Sequence, residues 1–150
     1  GKSFEKVFKA LEKNEIIPKQ GIFFNGQIYD AYIFTSDLIR KAKKSLVLID
    51  NYIDDSVLTL FTKRATGVSA EIFTKNISKA LALDLKKYNE QYQPIEIHEF
   101  KDSHDRFLII DGVEIYHIGA SLKDLGKKWF AFSKFEKEAM QMLEKLGRVK

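Results

Sequence analysis

The sequence predicts an α/β protein with a mixed, largely parallel β-sheet and helices on both faces. Three observations support this fold class. Apolar residues make up 45% of the 150 residues, which is enough for one hydrophobic core. Early in the chain, strand-like apolar runs alternate with segments of helical periodicity, and strand-like runs then gather late in the chain. We therefore expect an N-terminal helix and lead-in at residues 1–19 and one domain at residues 20–150.

The composition narrows the class of protein. The chain has no cysteine, which excludes disulfides and thiolate zinc sites and fits a reducing, cytoplasmic setting. No apolar run is long enough to span a bilayer, and the N-terminus does not have the pattern of a signal peptide. The formal net charge of +4 permits a polyanionic partner without requiring one. Because the first residue is Gly1 rather than methionine, we expect either a residue left from cloning or a fragment of a longer protein.

The first helices are predicted from periodicity. Residues 3–15 have apolar side chains on one helical face, and Ser3 is a candidate N-cap. That face consists of Phe4, Val7, Phe8 and Leu11. Asn25-Gly26 stands between two apolar runs and predicts a two-residue hairpin. Residues 30–45 again have helical spacing, and their apolar face consists of Ala31, Phe34, Leu38, Ile39 and Ala42.

The remaining elements follow from short apolar runs and turn signals. The run LVLI before Asp50 has no polar interruption, which is typical of a central strand covered on both faces. Asp54, Asp55 or Ser56 is the candidate N-cap of the short helix that follows. Further strands are predicted at 70–75, 95–100, 105–111, 113–119 and 129–135, and further helices at 77–92 and 136–147. Asp111-Gly112 predicts a hairpin between two of these strands.

Polar residues follow several of the predicted strands. In open α/β sheets, ligands bind at the carboxyl ends of parallel strands, so these residues are candidates for one site. They are Asp50, Asn51, Tyr52, Thr74, Lys75, Asn76, Ser121 and Lys123. The alternative is that loops are polar for solubility alone, and for any one of these residues the two interpretations are equally open.

The segment DSHDRFLIID, residues 102–111, contains the most specific pattern. Alternate residues of a strand share a face, so His104 and Arg106 are expected to point the same way. Arginine presents a planar fork that fits phosphate oxygens. A neutral imidazole beside it can attack phosphorus, while the guanidinium offsets the developing charge. The simpler alternative is a surface charge cluster at the start of a strand.

The pattern H-x-R-x-x-x-x-D, followed by IGASLKD, resembles the signature of the phospholipase D superfamily, whose usual form is H-x-K-x-x-x-x-D and then Gly-Ser-x-Asn. The resemblance implies that fold, a metal-independent reaction without a cofactor, and a phosphohistidine intermediate. It makes His104 the nucleophile, Arg106 the counterpart of the lysine and Asp111 the motif aspartate. Since the chain has one such motif, the resemblance also implies a homodimer in which two His104 side chains face each other.

The chain departs from the family pattern at several positions. Arg106 replaces the lysine, and Ala120 and Leu122 stand where serine and asparagine are expected. Ser121 and Lys123 are candidate replacements, and Asn51 and Lys75 are further candidate phosphate ligands. The segment KKWFAFSKF lacks the acidic residue that the family often places in this region, although Glu136 follows shortly after it.

The stretch from HDRFLIID to the end of WFAFSKF also resembles bacterial and phage-associated domains that follow phage-antirepressor-type DNA-binding domains. This resemblance implies that a DNA-binding domain precedes the present chain in the full-length protein. It makes DNA or RNA the expected phosphodiester.

Other candidate residues have simpler explanations. His98 alternates with isoleucines and is expected to face outward from its strand, and His117 is expected to be a structural histidine. The aspartates of DNYIDD lack calcium-loop spacing and a histidine partner, so a helix cap explains them better than a metal site. Lysines beside aromatic residues in KKWF and KKYNEQY are typical of single-strand binding, but also of ordinary solvated surfaces.

Two function classes remain open from the sequence. The first is a metal-independent phosphodiesterase or nuclease, which the retained His104 favours. The second is a catalytically weakened domain of the same fold that serves dimerisation or nucleic-acid binding. The loss of the motif asparagine and the replacement of lysine by Arg106 favour this second class.

Overall fold

The computed structural model describes residues 17–135 and 137–148. The helix predicted over residues 3–15 and the candidate acid Glu136 lie outside the described residues. The elements are β1 (Gln20–Phe23), α1 (Ile28–Lys41), β2 (Ser45–Ile49), α2 (Asp55–Phe61), β3 (Ser69–Thr74), α3 (Lys79–Gln91), β4 (Glu96–Glu99), β5 (Arg106–Ile110), β6 (Glu114–Ile118), a 3-10 turn (Leu122–Asp124), β7 (Phe130–Phe135) and α4 (Ala139–Lys145).

The described strands form one sheet in the order β1-β7-β6-β5-β2-β3-β4. This confirms a mixed α/β fold. The expectation of a largely parallel sheet needs correction, because four of the six pairings between described strands are antiparallel and only β2–β3 and β3–β4 are parallel. The late strands are joined by short connections, which permit antiparallel neighbours but are too short for a parallel crossover. Among the described strands, only β5 and β7 are antiparallel in direction to the other five.

Helices cover both faces of the sheet, as predicted. On one face, α1, α2 and α3 pack on alternate residues of the central strands, with Leu46, Leu48, Leu108 and Ile110 in their shared core. On the other face, α4 packs on the intervening residues Val47, Ile49 and Ile109. Strand β2 is therefore buried on both sides, which explains its uninterrupted apolar sequence.

Two local predictions have opposite outcomes. The predicted apolar face of α1 is confirmed, since Ala31, Phe34, Leu38 and Ile39 are buried in the core. The hairpin predicted at Asn25-Gly26 is wrong: this turn leads into α1, and β1 instead pairs with the distant β7. The helical periodicity of the following residues competes with strand formation, and the Gln27 side chain stabilises the turn by accepting a hydrogen bond of 2.6 Å from the Phe24 N–H.

The segment DNYIDD forms a helix start. The Asp54 side chain caps α2 by accepting a 3.0 Å hydrogen bond from the Ser56 N–H, in agreement with the cap interpretation. Within the described ranges, none of the helices is both long and apolar enough to cross a bilayer.

Candidate functional site

A cleft lies at one end of the central strands, where the carboxyl ends of β2 and β6 lie beside the amino ends of β5 and β7. This arrangement follows from the strand directions, since β5 and β7 run against β2 and β6. The cleft has a volume of about 490 Å³. Its lining consists of Tyr52, Arg106, Gly119, Ala120, Ser121, Asp124, Lys127, Lys128 and Trp129.

Arg106 is the cationic residue that the sheet itself contributes to this cleft. It is the first residue of β5 and is half-buried. Its Nε donates a hydrogen bond of 3.3 Å to the carbonyl oxygen of Ile118 on β6. No hydrogen bond or ion pair joins its two terminal nitrogens to any described residue. The guanidinium is therefore anchored at one nitrogen while its two terminal nitrogens remain available to a ligand.

Asp50 is a buried carboxylate directly behind the cleft. It follows β2, is fully buried, and accepts hydrogen bonds from the N–H groups of Leu122 at 2.8 Å and Tyr52 at 3.0 Å. Burial raises the pKa of Asp50 despite these hydrogen bonds, the Ser121 hydroxyl and the positive charge of Arg106, all of which lower it. The sequence marked Asp50 as a strand-end residue, but nothing local indicated its burial.

Ser121 connects the cleft to Asp50. Its hydroxyl lies 3.0 Å from each Asp50 carboxylate oxygen and 2.9 Å from the Tyr52 carbonyl oxygen. A hydroxyl has one hydrogen to donate, and all three neighbours are acceptors. A phosphate oxygen would therefore have to compete with Asp50 for this donor.

His104 lies in a bend before β5 and is exposed. The expectation that it shares a strand with Arg106 is not met, because β5 begins at Arg106. Loop hydrogen bonds take the place of strand pairing: Asn51 Nδ2 donates to the Ser103 carbonyl at 2.7 Å, and Ser103 Oγ donates to the Asp105 carbonyl at 2.9 Å. His104 contacts none of the described residues by hydrogen bond, ion pair or ring stacking, and it does not line the cleft.

The other candidate phosphate ligands lie apart from the cleft lining. Asn51 holds the loop before His104 through Ser103, as above. Lys75 is exposed after β3, beyond the intervening β2. Lys123 lines a separate groove beside α1 and α2, 3.9 Å from Asp124. Of the five residues predicted to bind phosphate, the structure places Arg106 and Ser121 in the cleft.

Asp111 lies at the opposite end of β5 from Arg106. With Gly112 it forms the predicted hairpin turn, and both residues have a positive φ, 57° and 69°. One carboxylate oxygen of Asp111 accepts hydrogen bonds from the N–H groups of Lys43, Lys44 and Ser45, at 3.0, 2.7 and 3.1 Å. Burial alone would raise its pKa, but these hydrogen bonds outweigh it and lower the pKa. In this position Asp111 fastens the hairpin to the start of β2.

Replacing Asp111 with asparagine should lower the free energy of unfolding at neutral pH by about 1 kcal/mol, because the negative charge that strengthens the three hydrogen bonds from Lys43, Lys44 and Ser45 is lost. Asparagine tolerates the positive φ, so the change isolates the charge. The carboxylate contribution is complete above the unfolded pKa of about 3.8 and is lost as the pH falls through the lower folded pKa. Urea unfolding of both proteins between pH 7 and pH 3 should therefore show their difference shrinking. A difference that stays constant over this range would contradict the assignment.

The two remaining histidines have structural contacts. His117 lies 3.6 Å from the Asp105 carboxylate and packs between the rings of Phe107 and Phe135, on the sheet face opposite Arg106. His98 was expected to face outward, but it is only partly exposed. It lies 2.9 Å from Glu71 and 3.1 Å from Arg148 on the face that α4 covers.

Sequence reasoning missed how the aromatic and lysine residues are arranged around the cleft. Tyr52 and Trp129 are 58% and 69% exposed, respectively, and both line the cleft beside Lys127 and Lys128. The segment KKWF, which contains Lys127, Lys128 and Trp129, had indicated a possible binding surface. The sequence could not show that this segment lies beside Arg106. Cationic and flat apolar groups together form a surface suited to a phosphate chain that carries bases.

Known family models and curated proteins give no match to the sequence. Solved structures do match. NucT from Helicobacter pylori superposes with a TM-score of 0.59 at 13% identity, over 86% of this chain and 91% of NucT. TrmBL2, described as an archaeal chromatin protein with a novel mode of DNA binding, superposes with a TM-score of 0.56 at 17% identity. That match covers 95% of this chain and 57% of TrmBL2.

These likenesses establish the class of fold. The chain has a phospholipase D-like fold, as its sequence resemblance implied. At identities below one fifth, the likeness concerns the arrangement of strands and helices. The roles of His104, Arg106 and Asp111 in the motif remain predictions.

Proposed function

We propose that this chain binds nucleic-acid phosphodiesters in the cleft at Arg106. The observation that carries this proposal is the state of the Arg106 side chain, which is anchored through Nε and whose terminal nitrogens have no partner among the described residues, in a cleft of suitable size. Arginine in this state can form two parallel hydrogen bonds to one phosphate group. The anchoring to Ile118 reduces the side-chain entropy that binding would otherwise cost.

The rest of the lining favours single-stranded DNA or RNA over other phosphodiesters. Lys128 and Lys127 add positive charge at the rim, although Lys127 lies 3.2 Å from Asp124 and is partly neutralised. Tyr52 and Trp129 expose rings on which bases can stack. TrmBL2, which shares the fold, is described as a DNA-binding protein, and the resemblance to phage-antirepressor-associated domains points to the same class of ligand.

Fluorescence anisotropy with labelled single-stranded DNA and RNA tests this proposal. Replacing Arg106 with alanine should weaken binding by about 10- to 100-fold, the equivalent of about 1.5–3 kcal/mol for a charged bidentate contact. It should also reduce the slope of log affinity against log salt concentration.

Arg40→Ala provides the matched control. Arg40 is an exposed arginine that pairs with Asp37 in the last turn of α1. This turn leads to the amino end of β2, and the cleft lies at the carboxyl end of that strand. This variant removes the same charge and should bind nucleic acid almost as the wild type does. Equal losses in the two variants would mean that binding reflects net charge, and the cleft would then not be the site.

Hydrolysis of the bound phosphodiester is the second candidate function. The observation that favours it is the exposure of His104, which has no partner among the described residues and precedes Arg106 by two positions. In this reaction a nitrogen of neutral His104 forms a bond to phosphorus while the bond to the leaving oxygen breaks. The leaving oxygen takes a proton from the His104 imidazolium of a second copy. A water molecule then attacks phosphorus and gives a proton to that second imidazole, while the phosphorus–nitrogen bond breaks, which restores both histidines. This scheme requires a homodimer with two His104 side chains at one site.

A further inference from the structure

We infer that Asp50 determines the specificity of the cleft: its buried carboxylate disfavours doubly charged phosphate groups and makes singly charged phosphodiesters the preferred ligands. This inference rests on the proposed binding of phosphate at Arg106.

The Asp50 carboxylate is held in a fixed position. The Asp50 N–H donates to the Phe73 carbonyl at 3.0 Å, which extends the pairing of β2 with β3 by one residue. One carboxylate oxygen accepts from the Tyr52 N–H and the other from the Leu122 N–H, while the Ser121 hydroxyl lies at equal distance from both. These donors come from two segments of the chain, after β2 and after β6, so the carboxylate cannot turn away when a ligand arrives.

The carboxylate lies close enough to the cleft to act on a bound anion. Arg106 lines the cleft, and its positive charge lowers the pKa of Asp50, so the two charges interact. Ser121 lines the cleft and hydrogen-bonds Asp50, so a single side chain separates the cleft surface from the carboxylate. Because Asp50 is fully buried, solvent screens its charge only weakly.

The charge count at the cleft distinguishes two classes of phosphate. A phosphodiester carries one negative charge, which Arg106 matches. A phosphate monoester carries nearly two charges above its second pKa of about 6. The second charge would face the buried Asp50 carboxylate. The lysines at the rim, Lys127 and Lys128, are exposed to solvent, and Lys127 is already paired with Asp124, so they compensate this repulsion poorly.

The test compares thymidine 5′-phosphate with its methyl ester, which carries one negative charge fewer and one methyl group more, by NMR titration at pH 8. The wild type should prefer the methyl ester. In Asp50→Asn the affinity for the monoester should rise by about tenfold relative to the diester, since one unit of repulsive charge is gone. Asp50→Ser is a second neutral variant with a small acceptor in the same place. Thermal melting should show that the variants fold.

Asp55→Asn is the matched control. Asp55 is an exposed carboxylate in the first turn of α2 that lines a separate groove, so its replacement removes the same charge away from the cleft and the ratio of the two affinities should stay as in the wild type. If neither ligand shifts the Arg106 signals of the wild type, the proposed phosphate binding is wrong. If both ligands bind and the wild type prefers the monoester, or a folded neutral variant keeps the wild-type ratio, phosphate binding stands and the role of Asp50 is wrong.

Discussion

Replacing Gly126 with alanine should lower the free energy of unfolding by about 3 kcal/mol, through the combined cost of steric overlap and a left-handed backbone. Gly126 has a φ of +80°, and a Cβ atom there would lie 2.5 Å from the Cα of Ile28 and 2.8 Å from the Gln27 carbonyl oxygen. Both neighbours are backbone atoms at the start of α1 and cannot rotate away. Relief would require the loop after the 3-10 turn to separate from α1. Because Lys127, Lys128 and Trp129 follow immediately, the same change should weaken nucleic-acid binding.

Gly67→Ala separates the cost of steric overlap from the cost of the left-handed backbone conformation. Gly67 has a nearly identical φ of +86°, but a Cβ atom there would have no neighbour within 4 Å. Its replacement should therefore cost only the conformational part, about 1 kcal/mol. Urea unfolding of the two variants measures the difference directly. Equal destabilisation would mean that the close approach between Gly126 and α1 does not contribute to stability.

The fold could be predicted from the sequence because its core elements have locally recognisable patterns. The run at β2 is uninterrupted because Val47 and Ile49 face α4 while Leu46 and Leu48 face the other helices. Burial on both sides leaves no polar positions, and this pattern is visible in the sequence itself. The Asp111-Gly112 turn was equally visible, since its two positive φ angles require residues of this kind.

The pairing of β1 could not be predicted in the same way. Asn25-Gly26 has the residues of a hairpin turn, and local patterns cannot reveal that the partner strand of β1 starts at Phe130, more than a hundred residues later. The segment after the turn has the periodicity of a helix, and its burial against the sheet decides the outcome. Tertiary packing here overrides a strong local signal.

The cleft was predicted only in part for a related reason. Arg106 and Asp111 belong to one sequence motif, yet they lie at opposite ends of β5 because a strand separates its first and last residues by its whole length. Conversely, Asp50 and Ser121 are far apart in sequence, but the pairing of β2, β5 and β6 brings them into hydrogen-bond contact. Spacing in the sequence shows which residues lie on the same strand. The cleft, however, is formed by residues from neighbouring strands, whose pairing the spacing does not show.

His104→Ala should reduce turnover by about a thousandfold or more in any preparation that hydrolyses a phosphodiester, because the covalent intermediate would have no nucleophile. Hydrolysis should persist in the presence of a chelator, since the proposed scheme uses the His104 side chain and not a metal-bound water as the nucleophile. Binding of single-stranded DNA or RNA should remain nearly unchanged, because Arg106 supplies the charge. Turnover of a small aryl phosphodiester and anisotropy of a labelled oligonucleotide measure these two effects separately.

His98→Ala is the control for this experiment, because His98 contacts Glu71 and Arg148 on the face covered by α4 and is remote from the cleft. It should retain turnover. Sedimentation should show that the active species is a dimer, since the scheme needs the imidazole of a second copy as the acid. Turnover that survives in purified His104→Ala protein, or in a monomer, would contradict the phosphohistidine scheme. A wild type that hydrolyses no phosphodiester but binds nucleic acid with a steep salt dependence would leave the Arg106 cleft with binding as its function.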